Sequence, residues 1–464
     1  MVTCQSSGNE IYFKSKNVGG TFKIYLYNAN PDTGALIGDI LDIHSETVTT
    51  GEAHIWTDLT GLEGEISSGN TFAFKMSFTP TDTTSSDLET KFGAYGESGK
   101  QLLFNVQESA AYVAPSCKFE YRRPIVIDHT KVGVDDSGTL PATGFPVLVS
   151  LSGNWLKTTL VDATNGRIEN ANGYDIIFRE SDGRAGLYHE IEEYDGTTGT
   201  LVAWVRIDSF SMGPLDTTIY IYYGNSCITS PTEDPANVWD DSFAGVWHLE
   251  EQVTDDAAGG THDDSADVHD GTQQYNGPIG GQIAGAQTFD STGDCVDIAD
   301  HVDLSFLGGD GDGGADSPFS VSAWINGDTD DAEIVSKNSW PGASEWDLWS
   351  EGGKISLMLY DTGVDYIGRI AQTGITAGWH YVTGTYDGSN SDTGIKVFID
   401  GVEQATDPYS GGTYDGMSNT LINVQIGSND GGSQESFDFN GQIDEVRVSS
   451  TARDLDWIAT SFNN

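Results

Sequence analysis

Gly441-Gln442-Ile443-Asp444-Glu445-Val446-Arg447-Val448 decides how the C-terminal half of this chain is read. In an extended strand Gln442, Asp444, Val446 and Val448 share one face, and Ile443, Glu445 and Arg447 share the other. Neither face is purely apolar, so alternation gives a strand without saying which side is buried. Upstream, Trp379-His380-Tyr381-Val382 reads as a strand, as does Ile395-Lys396-Val397-Phe398-Ile399. The latter puts Ile395, Val397 and Ile399 on one face and closes with Asp400-Gly401, a tight-hairpin signal. Downstream, Ser449 to Arg453 leads into a short helix through Trp457 and Ile458.

Further pieces recur in the same order: Gly245-Val246-Trp247-His248-Leu249, Asp264-Ser265 to His269-Asp270-Gly271, Ala286-Gln287-Thr288-Phe289-Asp290 and Phe319-Ser320-Val321-Ser322-Ala323-Trp324. Together with the opening stretch they resemble the LamG-like jelly roll, a sandwich of the concanavalin A type, from about Val238 to Phe462. That resemblance implies a fold and names no ligand.

The whole chain has 464 residues, enough for two to four domains with cores of their own. No apolar run approaches the roughly 18 residues a membrane helix requires. Met1 to Ser6 is polar and lacks the basic start and apolar run of a signal peptide. We therefore expect an extracellular protein, on a cell surface, filament or virion, whose leader has been removed or which leaves the cell without one. Asp plus Glu number 71 against 21 Lys plus Arg, a formal net charge of −50. Residues 237–464 alone hold 40 acids and 6 bases. Such a surface excludes nucleic acid as a partner class. It fits solubility in a salty environment, cation binding, or self-repulsion between neighbouring copies.

We expect an all-β chain of three tandem sandwiches, with domains at 1–115, 116–236 and 237–464. In the first, Phe22 to Tyr27 and Phe72 to Phe78 alternate around turn signals such as Asn30-Pro31-Asp32-Thr33-Gly34; its order of strands and turns resembles small jelly-roll modules of exported and phage proteins. Ala114-Pro115-Ser116 and Ser230 to Pro235 read as linkers. Between them lie five β-rich runs, from Phe119 to Asp128, Phe145 to Leu151, Asp175 to Arg179, Leu201 to Ile207 and Thr218 to Asn225. The Ala-Trp-Val strand and the Tyr-Tyr-Gly-Asn ending are similar to an uncharacterised domain family that often precedes LamG-like modules in prokaryotic and viral surface proteins. The four cysteines are too far apart for a zinc site. Cys4 with Cys117 and Cys227 with Cys295 are the disulfides to expect, with isolated buried thiols as the alternative.

Three kinds of chemistry are candidates. Asp263, Asp264, Asp267 and Asp270 fall within eight residues, and Asp310, Asp312 and Asp316 share a Gly-rich turn, the oxygen density a hard cation needs. The resemblance implies calcium at the 264–270 segment, held by Asp264, Asp267 and Asp270 with Asp444 approaching from its strand; solvated loop acids are the alternative. Neither loop follows the EF-hand pattern. His262 and His269 lie in the same loop and are further possible metal ligands. Secondly, Trp340, Tyr409 and Tyr414 stand beside Gly or Pro in loops, where exposed rings stack on sugars; the resemblance implies that Trp247, Trp324 and Trp379 occupy core strands instead. Thirdly, Glu345-Trp346-Asp347-Leu348-Trp349-Ser350-Glu351 sets Glu345, Asp347 and Glu351 on one strand face. Concanavalin A-like glucanases place their last two carboxylates closer. Here Glu351 would lie about 13 Å from Asp347 on a regular strand, too far to share a proton network.

The sequence thus leads us to expect no catalytic residues and a non-enzymatic adhesion or glycan-binding structural protein, stabilised by calcium. Its partners would be glycans or cell-surface polysaccharide, with no membrane insertion. The rival is an architectural subunit that assembles with copies of itself or other surface or virion proteins, and glycoside hydrolysis is a remote third reading.

Overall fold

The computed structural model describes residues 118–464, except 135–139, 141–143, 184, 209, 211–214, 267–268, 308–313, 329–330, 340–342, 362–364 and 430–436. Before residue 118 it describes the backbone of seven strands. The chain divides into two compact units, Met1–Ser116 and Cys117–Asn464.

In the first unit the two alternating runs become the strands Gly20–Ala29 and Phe72–Pro80. They pair antiparallel from Gly20↔Pro80 to Asn28↔Phe72. Leu36–Val48 flanks them on one side and the short strand Asn105–Val106 on the other, while Ala53–Asp58, Glu10–Lys16 and Glu89–Tyr95 form a second sheet.

The second unit begins with a four-stranded and a three-stranded antiparallel sheet. Thr217–Tyr223 sits between Ile177–Glu180 and Tyr121–Ile127, and Thr200–Ile207 sits between His189–Asp195 and Phe145–Ser152. Burial along Thr217–Tyr223 alternates residue by residue, sending Ile219, Ile221 and Tyr223 inward against Phe178, Leu201, Ala203 and Val205. Thr200–Ile207 is covered on its other side too. Its Trp204 packs with Trp239, Val246 and Ile283, and Trp457 of the C-terminal helix Leu455–Asn463 joins the inner core. The middle and C-terminal sandwiches are therefore joined by shared buried side chains.

The C-terminal sandwich faces an eight-stranded sheet against a nine-stranded one. In the first, Asn440–Ser449 is central: it pairs with Phe319–Asp328 on one edge, and with Gly285–Asp290 and Phe243–Trp247 along the other. The expected Asp400-Gly401 hairpin is present, both residues at positive φ (52° and 76°) between the paired Ile399 and Val402. In the nine-stranded sheet Gly352 and Gly353 (φ 57° and 76°) form the same kind of turn between Glu351 and Lys354.

The simple alternation of 441–448 does not hold. Ser322 pairs with Arg447 but Trp324 with Asp444, so one extra residue is accommodated, and Glu445 adopts φ 54°. This β-bulge resets the parity. Ile443, Val446 and Val448 all enter the core, although strict alternation would put Ile443 opposite the two valines. A second correction concerns the cysteines. Cys227 is disulfide-bonded while Cys295 is a buried thiol, so those two are not joined; Cys4 and Cys117 lie outside the described residues. No helix among the described residues is long and apolar enough to cross a membrane.

Candidate functional site

The core-facing residues of Ser344–Glu351 are Trp346 and Leu348, and those of Lys354–Tyr360 are Ile355, Leu357 and Leu359. Alternation therefore sends Asp347 and Trp349, and with them Met358 and Tyr360, to the opposite, outer face of the nine-stranded sheet. Four rings continue one another there: Tyr360 and Tyr366 have centroids 6.0 Å apart, Tyr366 and Tyr409 6.0 Å, and Tyr409 and Trp349 6.5 Å. Trp349, Tyr366 and Tyr409 are partly exposed. A Glu351 carboxylate beside the Tyr409 hydroxyl raises that phenol's pKa, together with the larger effect of burial.

At the Tyr360 end the row meets a buried polar cluster. The Tyr360 hydroxyl donates to Asp347 Oδ2 at 2.8 Å, and Asn338 Nδ2 donates to the same oxygen at 2.7 Å. Asn338 Nδ2 also approaches Glu333 Oε1 at 3.4 Å, which accepts from Asn429 Nδ2 at 3.1 Å. Ser344 fixes Asn338 by donating to its Oδ1 at 2.6 Å. Glu333, Asp347 and Asn429 are all at least 97% buried, yet Glu333 Oε2, Asp347 Oδ1 and Asn429 Oδ1 have no hydrogen-bond partner among the described residues. Burial pushes Asp347 up to about 7, and burial plus the Asp347 charge drives Glu333 well above the carboxylate range. Two carboxylates linked through one amide cannot both ionise cheaply in such surroundings. They share protons, or a cation neutralises them.

The strand motif Glu345-x-Asp347-x-x-x-Glu351 is thus divided among three roles. Asp347 enters the cluster, Glu351 faces Tyr409, and Glu345 Oε1 accepts from Thr420 N at 2.7 Å and lies 3.2 Å from the ammonium of buried Lys337. The sequence reading did not single out Glu333, Asn338 or Asn429. The one local signal was a charged residue, Glu333, amid the apolar stretch Ala332-Glu333-Ile334-Val335.

Three of the expected metal ligands, Asp264, Asp270 and Asp444, accept backbone hydrogen bonds. Asp264 Oδ1 accepts from the backbone N–H groups of Val246 (2.8 Å) and Ala266 (3.0 Å), and its Oδ2 accepts from His269 (3.2 Å). It fixes a loop. Asp270 Oδ1 accepts from Asp264 N. Asp444 Oδ2 accepts from Ile283 N at 2.9 Å, and burial, with the neighbouring Glu445 charge, raises its carboxyl well above the usual range. Among the described residues, no cluster of three acidic, His or Cys ligand atoms within 4.8 Å includes Asp264, Asp270 or Asp444. Asp267 lies outside the described residues. Of the ring candidates, Tyr409 belongs to the outer row. Tyr414 instead packs on the core and donates to Asp316 Oδ2 at 2.5 Å, tying down the chain before Met417, whose N–H donates to Asp316 Oδ1. Trp340 lies outside the described residues.

A second polar cluster lies between the two sandwiches. His248 Nδ1 meets Glu445 Oε1 at 2.6 Å and its Nε2 meets Glu190 Oε2 at 3.4 Å. Arg447 donates to Glu445 Oε2 at 2.6 Å and stacks its guanidinium over Trp204 and Trp239. The indoles of Trp204 and Trp239 donate to Glu192 and Glu190. Burial opposes a charge on His248, but the carboxylates of Glu445, Glu190 and Glu192 prevail and raise its pKa well above the ordinary value.

The family model of the concanavalin A-like lectin/glucanases superfamily matches residues 290–459. The model of a domain of unknown function, DUF2341, matches residues 172–259. The C-terminal sandwich is thus a LamG-type, concanavalin A-like domain preceded by a DUF2341 domain. No curated protein sequence matches the chain. Among solved structures, the binding domain of Paraclostridial Mosquitocidal Protein 1 is similar at 14% identity and TM-score 0.36. The match covers 48% of this chain and 52% of that one, so the chain spans about half the length of that domain. Domain 4 of AbnA, a GH43 extracellular arabinanase from Geobacillus stearothermophilus solved with arabinotriose, gives 17% identity and TM-score 0.34 over 48% of this chain and 98% of that one. The botulinum neurotoxin serotype D ligand-binding domain, solved with N-acetylneuraminic acid, gives 14% identity and TM-score 0.32 over 49% and 52%.

Proposed function

We propose that this protein is a non-enzymatic adhesion or glycan-binding structural protein of a cell surface, filament or virion. It reads glycans with the outer face of its nine-stranded sheet. The observation that carries this reading is the row of partly exposed rings, Trp349, Tyr409 and Tyr366, running beside the carboxylate of Glu351. Sugar rings stack their C–H faces on such planes while neighbouring carboxylates and amides accept from their hydroxyls.

Calcium belongs to the same proposal. We assign it to the buried oxygens of Glu333, Asp347 and Asn429, which lack hydrogen-bond partners among the described residues, rather than to the 264–270 loop, whose Asp264 already accepts from three backbone N–H groups. A hard cation would supply the charge those oxygens lack and fix the strands beneath the aromatic row. Hydrolysis is disfavoured by the same burial, because neither Asp347 nor Glu333 is accessible to a substrate and Glu345 is held by Lys337.

The test is a glycan array probed with wild type, Trp349→Ala and Tyr409→Ala, alongside sedimentation over a range of concentrations. Glycan binding that falls about fivefold or more in either variant supports the reading, since one ring stack contributes on the order of 1 kcal/mol. Concentration-dependent assembly without any glycan bound would instead favour the architectural subunit.

A further inference from the structure

We propose that His269, His301 and Asp303 form a site for a zinc-class divalent transition metal on the surface of the C-terminal sandwich. The three residues come from two segments. His269 closes the loop before the strand Gly271–Gln274, while His301 and Asp303 belong to the 3-10 turn Val302–Leu304 and its cap.

Hydrogen bonds anchor the backbone at His269 and at Leu304. His269 donates its backbone N–H to Asp264 Oδ2, and its carbonyl accepts from the Trp247 indole at 3.0 Å. Leu304 is fully buried, and its carbonyl accepts from the Trp346 indole at 3.0 Å. Between these anchors the imidazoles of His269 and His301 lie 4.4 Å apart, centroid to centroid. Asp303 Oδ2 stands 3.6 Å from His269 Nε2 and 3.1 Å from His301 Nδ1. All three ligand atoms fall within 4.8 Å of one another.

A tetrahedral zinc with bonds of about 2.0–2.2 Å sets its ligand atoms roughly 3.3–3.5 Å apart. The two measured separations bracket that value, so the metal needs little side-chain movement. His301 Nδ1 also accepts from Asp303 N at 3.3 Å, a long bond that metal ligation would replace. Two imidazoles and one carboxylate favour zinc, nickel or copper over calcium and magnesium, which take oxygen. His269 is 8% exposed, whereas His301 and Asp303 are 45% and 59% exposed, so one side of the site is open for a water or a group from a bound partner. The other two groupings of this kind are weaker candidates. One places a single imidazole between the exposed carboxylates of Asp128 and Asp216, and the other, around His248, already holds the guanidinium of Arg447 against Glu445.

The experiment is calorimetric titration of the chelator-treated full chain with zinc chloride, repeated with cobalt chloride while the visible spectrum is recorded. We expect one zinc site whose affinity drops about tenfold or more in His301→Ala and in Asp303→Asn. His129→Ala should leave it unchanged, and excess calcium should not displace the metal. Both variants alter exposed side chains, so their thermal midpoints without metal should match wild type. Absence of zinc binding, equal affinity in His301→Ala, or loss in His129→Ala instead would overturn the proposal.

Discussion

Asp347 and Glu333 set the behaviour of the outer face. With both carboxyls raised and neither solvated, each deprotonation costs native stability. Removing one of the two charges should therefore help. We expect Glu333→Gln to raise the thermal midpoint by a few degrees at pH 8 without divalent ions, and to abolish any calcium-induced rise. Differential scanning calorimetry with EDTA and with calcium reads both effects. Asp264→Ala is the contrasting case. It deletes three hydrogen bonds from one buried carboxylate, so the midpoint should fall by several degrees, on the order of 2 kcal/mol or more. The calcium response should survive it. Were that response lost with Asp264 and kept with Glu333→Gln, the cation would belong in the 264–270 loop after all.

The strand Asn440–Ser449 shows which parts of an element are legible in sequence. Its existence, and the Asp400-Gly401 turn, follow from apolar runs and turn chemistry, and both are present. Its facing is not legible, because the bulge at Glu445 depends on pairing with Phe319–Asp328, more than a hundred residues earlier. The bulge lets Ile443, Val446 and Val448 all reach the core, while Glu445 meets both His248, from the neighbouring strand end, and Arg447. The polar cluster was hidden for a similar reason. Glu333, Asp347 and Asn429 come from separate segments that only the sheet order brings together, so spacing drew attention to Glu345-x-Asp347 and could not supply Asp347's partner. Glu445 is the element's most exposed weakness. Glu445→Gln should cost about 3 kcal/mol or more in urea unfolding, since it leaves His248 and Arg447 buried with their shared counter-charge removed. A loss under 1 kcal/mol would mean that Glu190 and Glu192 suffice to hold His248.

Across the second unit, several buried carboxyls have raised pKa values. Burial pushes Glu192 up to about 8, Glu250 to about 7 and Asp294 to about 6. Between their ordinary values near 4 and these raised ones the native state binds more protons than the unfolded chain, so stability falls as pH rises. His248 acts in the same sense, its raised pKa giving a contribution that is complete at low pH and lost as pH rises. Glu190, Glu445 and Asp240 have lowered values and act oppositely, losing their contribution as pH falls into the acid range. We therefore expect maximal stability near about pH 5, with the thermal midpoint in EDTA falling steadily from pH 5.5 to 8.5. A midpoint that rises over that interval would show that the raised carboxyls do not govern the unit.

The aromatic row and the buried oxygens beneath it make one joint claim, that a calcium-fixed sheet face binds sugar. Isothermal calorimetry of a glycan selected from the array, titrated into wild type and Tyr409→Ala with calcium and then with EDTA, tests that claim most directly. We expect binding to calcium-loaded wild type, weakening of about fivefold or more in Tyr409→Ala, and weakening again when calcium is withdrawn. Equal affinity in all four titrations would place the sugar elsewhere and contradict the account.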